Sequence, residues 1–245
     1  MKNVIKYKIW FGILFFLPLW MMVSCGDEHQ YFPSLGSATG AKLKFFHGAS
    51  DTVAVNFLVN GTLVSPAGGN AYASYFPVTG YTTYTPGDLN IKAEVPATDT
   101  TVAIPMATVA LNGQNDQNKT IAFTGVTGSY EMFSIDDNIS TIPFDGKAYV
   151  RLVNFIQDSP NGISLEMTNA AGTSVVATNV VYKGASTFVP VEPGTYSSIK
   201  ILNAVGGGNL SSAASSRRTL IGNKIYTYYG RGLFAKPSID WMFNR

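Results

Sequence analysis

The sequence predicts an all-β protein built as two tandem antiparallel β-sandwich domains, and three observations predict it. The first is composition: of 245 residues only 13% are charged and 46% hydrophobic, with 13 Tyr and 15 Phe. Polarity must then come from Thr, Ser, Asn and Gly, a mixture that favours strands and turns over helices. The second is spacing, because short alternating segments recur roughly every 8–12 residues with turn residues between them. The third is a stretch used twice. Ala41-Lys-Leu-Lys-Phe-Phe-His-Gly-Ala-Ser-Asp51 returns as Ala148-Tyr-Val-Arg-Leu-Val-Asn-Phe-Ile-Gln-Asp158, with Lys44 answering to Arg151 and His47 to Asn154. Both copies alternate apolar with charged or mixed residues, which predicts a half-buried strand.

The chain opens on an address. Lys2, Lys6 and Lys8 precede Ile9 to Val23, an uncharged apolar run shorter than the roughly 20 residues a membrane-spanning helix needs, so 1–24 reads as a signal peptide. Met22-Val23-Ser24-Cys25-Gly26 resembles a bacterial lipoprotein box, and Cys25 is the one cysteine in the chain. That resemblance implies acylation of Cys25 and membrane attachment through the lipid, with palmitate among its chains. Asp27-Glu28 resembles the acidic tag that some Gram-negative bacteria use to send lipoproteins to the cell surface. Residues 25–40 show no periodicity and read as a lipidated tether, in which His29 is a solvated residue. The expected location is the outer membrane, facing either the cell surface or the periplasm.

Without the three leader lysines, Lys plus Arg falls from 17 to 14 against 15 acidic residues, a net charge of −1. A near-neutral chain has no electrostatic footprint for nucleic acid.

The first predicted sandwich covers 41–142. Val53, Val55, Phe57 and Val59 share a face, and Asn60-Gly61 signals a two-residue hairpin before Thr62-Leu63-Val64. A Tyr-rich strand is expected from Ala71 to Val78, a turn at Pro86-Gly87, and alternation again over Leu89–Val95. Further strands are expected at Thr100–Ile104, Ala107–Leu111, Thr120–Thr124 and Ser129–Ser134. The second sandwich, 147–245, repeats that order at offsets near 107, placing Tyr75 with Tyr182 and Pro86-Gly87 with Pro193-Gly194. The offset is expected to drop by two or three later, matching Lys119 to Lys224, Gly125 to Gly230 and Ile135-Asp136 to Ile239-Asp240. Pro143 to Gly146 is the short linker between them.

These pieces resemble the bacterial secreted family called domain of unknown function 4397 (DUF4397). Its pattern, Ala-x-Val-Arg-Val-x-His/Asn followed by Val-x-Val-x-Val-Asn-Gly and a later Pro-Gly turn, is similar to Ala41–His47, Val53–Gly61 and Tyr84-Thr-Pro-Gly87. The second copy, Ala148–Asn154, Ile163–Met167 and Glu192–Tyr196, is looser and lacks the Asn-Gly turn. The resemblance implies immunoglobulin-like sandwiches and brings no catalytic residues with it.

Chemistry finds little to build on. His29 and His47 are the only histidines, and no His/Cys cluster has metal-ligand spacing. His47 reads as a core-edge residue bonded to backbone. No Gly-x-Ser-x-Gly elbow is present, and Asp136-Asp137 on a strand or turn would point apart, with turn formation their expected role. Asn112 to Asn118 is rich in oxygens but lacks the charge of a calcium loop, and reads as a solvated hairpin. No catalytic residue, metal or cofactor is assigned.

For binding, Tyr72, Tyr75, Tyr81 and Tyr84 cluster in one region and Tyr226, Tyr228 and Tyr229 in another. They could stack on a glycan, or simply pair across strands. Asp51-Thr52-Val53 resembles a short bacterial O-glycosylation sequon, which makes Thr52 a candidate acceptor. The sequence therefore points to a non-enzymatic envelope module binding a glycan or a surface protein. The alternative is an assembly subunit of a pilus or envelope complex, which a long, uncharged, unpaired edge strand would favour. Oligomeric state stays open.

Overall fold

The computed structural model describes residues 39–210 and 218–245; the predicted signal peptide, most of the tether, Cys25 and His29 lie outside the described residues. The first sandwich contains β1 (Ala41–His47), β2 (Asn56–Val59), β3 (Thr62–Leu63), β4 (Tyr75–Phe76), β5 (Thr82–Tyr84), β6 (Gly87–Val95), β7 (Ile104–Gly113), β8 (Asn118–Thr124) and β9 (Glu131–Asp136). An inner sheet runs β4-β1-β8-β9, with β5 also paired to β1, and an outer sheet runs β3-β2-β6-β7. Leu43, Phe45, Ile121 and Phe123 of the inner sheet meet Phe57, Leu89 and Ile91 of the outer one, all buried. The alternation along each strand supplies this core directly. The predicted hairpin forms, with Asn60 and Gly61 at φ of 49° and 80°, the positive values that a tight two-residue turn demands.

The second sandwich contains β10 (Ala148–Asn154), β11 (Ile163–Asn169), β12 (Gly172–Val180), β13 (Val189–Val191), β14 (Gly194–Tyr196), β15 (Ser198–Asn203), β16 (Arg218–Leu220), β17 (Ile225–Leu233) and β18 (Lys236–Phe243). Its inner sheet is β13-β10-β17-β18, its outer sheet β12-β11-β15, and β14 pairs with β16. Leu152, Ile163, Leu165, Ile201 and Tyr228 are central to its core. Pairing is antiparallel except for β1 with β8 and β10 with β17, which are parallel. Each parallel pair is separated in sequence by an excursion through the outer sheet, which supplies the long crossover that parallel neighbours need.

The two inner sheets repeat with one offset throughout. Phe45 faces Ile121 as Leu152 faces Tyr228, Ile121 faces Ser134 as Tyr228 faces Trp241, and Ala41 faces Tyr84 as Ala148 faces Val191: each position recurs 107 residues later. The expected drop in offset does not occur. Lys119 corresponds to Tyr226 and Gly125 to Gly232, both glycines with positive φ (101° and 87°). What repeats in a strand is the face a side chain occupies, and shared Lys, Gly and Ile-Asp identities two residues away do not alter it.

Three local expectations also change. The Tyr-rich segment yields only Tyr75–Phe76 as strand. Residues 96–103 form a loop, with β7 beginning at Ile104. The opening strands are not half-buried: β1 and β10 are covered on both faces, because each inner sheet has its own core on one side and the other inner sheet on the other.

Candidate functional site

Phe46, Ala122 and Ile135 from the first inner sheet join Val153, Phe155, Tyr229 and Met242 from the second in one buried cluster. Phe46 stacks on Phe155 at 4.5 Å between centroids and meets Tyr229 edge-on at 4.6 Å. The two sandwiches are thereby stacked inner face to inner face within the single unit Thr39–Arg245.

Beside the aromatic cluster lies a buried polar one. Asp137, fully enclosed just after β9, accepts from the Arg151 guanidinium, from Thr120 Oγ1 at 2.9 Å and from Tyr81 OH at 2.7 Å. Arg151 also donates to Thr227 Oγ1 at 3.0 Å and to the Asp136 carbonyl at 2.9 Å, and lies 4.6 Å from the Phe188 ring centre. Lys44, equally enclosed, donates to the Pro77 carbonyl at 2.9 Å and sits 5.1 Å and 5.3 Å from the Tyr75 and Tyr81 ring centres. Burial pushes its ammonium down to about 8, with the Asp137 charge opposing. Asn244 closes the set, accepting from Thr227 Oγ1 at 2.7 Å and donating to Tyr81 OH at 2.8 Å. Such an array binds the halves to each other and fixes their register.

Asp136 and Asp137 do point apart, one exposed and one enclosed, but Asp137 is the anchor of this cluster rather than a turn former. The signal that could have found it is the pattern of polar residues on the supposed solvent face, Lys44 with Thr120 and Arg151 with Thr227, appearing twice at one spacing.

The seven candidate tyrosines do not form a platform. Tyr228 lies in the second core, Tyr226 is buried beside Trp241 and Phe243, and Tyr229 is inside the inter-sandwich cluster. Burial raises the Tyr228 and Tyr229 phenols well above their ordinary value. These three enclosed rings have no face for a sugar. Tyr72, Tyr75, Tyr81 and Tyr84 are partly buried and each is engaged: Tyr72 by Arg231 at 3.0 Å, Tyr75 and Tyr81 by Lys44, and Tyr84 edge-on to Phe45 at 6.3 Å. Burial pushes the Tyr84 phenol up to about 12.

His47 is enclosed, donates from Nε2 to the Val53 carbonyl at 3.1 Å and is kept neutral by burial. Thr52 is partly exposed next to Asp51, whose carboxylate accepts from Thr127 N at 2.7 Å and Tyr130 OH at 2.9 Å. The Asn112–Asn118 segment carries the chain from the outer sheet to the inner one, so it is a crossover and not a hairpin.

Two features face outward. A cleft of about 440 Å³ has Val176, Val191 and Tyr196 at its floor and Lys147, Asn169, Thr173, Ser174 and Glu192 at its rim. Strand β7, ten residues without a charged side chain, ends the outer sheet, and no strand among the described residues pairs with its far edge.

A search of curated proteins returns no match to the chain. Among solved structures, the C-terminal domain of AlgF from P. aeruginosa is 19% identical, covering 40% of this chain and 99% of that one with a TM-score of 0.30. The Bacillus anthracis TIE protein is 11% identical, covering 82% of this chain and 34% of that one, TM-score 0.23. A family CBM26 module from Eubacterium rectale Amy13K, solved with maltoheptaose, is 12% identical, covering 81% and 96%, TM-score 0.24. The family model described as domain of unknown function (DUF4397) matches residues 41–164, half of the chain, and the chain therefore belongs to that family.

Proposed function

We propose that this chain is an envelope-tethered, non-enzymatic module made of two copies of the family domain, and that it acts as an assembly subunit, engaging a surface protein by strand addition at β7. The uncharged free edge of β7 is the observation that carries this reading. Natural edge strands are usually blunted by lysine, proline or a bulge, because unpaired N–H and C=O groups recruit other strands. Here Pro105 and the bulge at Met106 protect only the first end, leaving residues 107–112 unpaired on that side. A photo-crosslinking residue at Thr108, exposed on β7, should trap one discrete envelope protein on intact cells, while the same residue at Thr195 on β14 should not. Ala110→Lys should reduce that adduct by about tenfold through edge blunting. Equal labelling from both positions, or an adduct indifferent to Ala110→Lys, sinks the reading.

The cleft favours a second reading, a neutral oligosaccharide ligand, since an apolar floor under hydroxyl and amide groups suits a sugar ring. On a glycan array, Ser174→Arg should weaken any bound oligosaccharide by about tenfold by filling the cleft; unchanged binding excludes the cleft.

Anchoring rests on the sequence at Cys25. Intact mass should show an acylated mature chain, and Cys25→Ala should release it from membranes; an unacylated wild type would overturn the anchor and the address together.

A further inference from the structure

The polar and apolar residues between the sandwiches occupy matching positions 107 residues apart. Lys44 and Arg151 pair with Thr120 and Thr227 in the same register. Ile135 and Met242 do likewise opposite those threonines. The Asp137 and Asn244 amides donate to the equivalent carbonyls of Asn118 and Ile225, at 2.8 Å and 3.0 Å. Even the rings beneath the cations, Tyr81 and Phe188, correspond. Two faces built on the same positions thus pack against each other, as the halves of a two-fold dimer interface do.

Among the fully enclosed charged groups, one position differs between the two faces. The first face carries a cation and a carboxylate, Lys44 and Asp137; the second carries a cation and a neutral amide, Arg151 and Asn244. We infer that the inner face is a self-complementary pairing surface on which the fully enclosed carboxylate, Asp137, selects the partner. A first-sandwich face fits a second-sandwich face, and it also fits another first-sandwich face. Two second-sandwich faces reject each other. When two first faces meet, each Asp137 lies where the partner's cation arrives. When two second faces meet, two Arg151 side chains are buried with no carboxylate between them, which is the costly arrangement.

The test uses the whole chain with a protease site inserted at Phe144, which is 72% exposed in the linker, and cut after folding. Native mass spectrometry of the nicked protein should show the two fragments held together. On dilution and re-equilibration, first-fragment homodimers should appear and second-fragment homodimers should not. Asp137→Asn should weaken the fragment pair by about 100-fold or more, the effect of removing one member of a buried ion pair. Asn244→Asp, which supplies the missing carboxylate to the second face, should allow second-fragment homodimers. Separation of the nicked wild type into monomers, with neither the fragment pair nor first-fragment homodimers re-forming, overturns the inference. Second-fragment homodimers without Asn244→Asp, or none with it, overturn it equally. None of these outcomes depends on β7 having a ligand.

Discussion

Asp137→Asn is expected to destabilise the intact chain by about 3–5 kcal/mol, the range for breaking a buried ion pair from one side. The cost is high because two cations depend on one carboxylate. Arg151 is bonded to it directly, and Lys44 feels its charge from within the same enclosure. Thr120 and Tyr81 each lose a charged acceptor as well. The neighbouring Asp136 provides the control: it pairs with Lys119 at the surface, and Asp136→Asn should cost under about 1 kcal/mol. Urea unfolding of both variants checks the contrast through the midpoint, with the slope unchanged if the unfolded state is unaffected. Similar losses from the two substitutions would show that Asp137 holds nothing together.

The contrast between these adjacent aspartates also shows what the sequence could and could not reveal. Alternation along Leu43–Phe45 and Ile121–Phe123 marks one face of a strand as core, so the sandwiches themselves were legible. The same alternation marks Lys44 and Phe46 as the solvent side, which is true of an isolated sandwich. It fails here because a second sandwich covers that face, and periodicity within one strand carries no information about a layer added from elsewhere. The duplication did carry it, since Lys44 and Arg151 sit at one position of the repeat. The tyrosines failed for the same reason. Tyr226 and Tyr228 alternate with Thr227 and Tyr229 along β17, and both faces of that strand are buried, so composition suggested an exposed platform where the fold has none. The Asn60-Gly61 turn was legible because its chemistry is local and does not depend on distant packing.

Lys44 yields a prediction of opposite sign. Its ammonium is pushed down from 10.5 to about 8 by burial, and each pKa unit corresponds to about 1.4 kcal/mol, so keeping it charged at neutral pH costs the fold about 3 kcal/mol. Between pH 8 and 10.5 the unfolded chain holds the Lys44 proton and the folded chain releases it, so stability rises with pH across that window. The rise is cut off near pH 10. Burial lifts Tyr81, Tyr228 and Tyr229 above their ordinary value, so the unfolded chain loses phenolic protons first and stability then falls. Starting the scan at pH 8 leaves out His47, whose depressed pKa gives a slope of the same sign only near and below its ordinary 6.5. The expected profile climbs by about 2 kcal/mol from pH 8 to about 9.5 and then declines. Lys44→Met should flatten the climb and raise stability at pH 7 by about 1–3 kcal/mol, since an apolar side chain of similar volume removes a buried charge that lacks a carboxylate of its own. A climb that survives in Lys44→Met would place its origin in another group, and a variant less stable than wild type at pH 7 would mean that Lys44 is bound more tightly by Asp137 and the Pro77 carbonyl than its burial opposes.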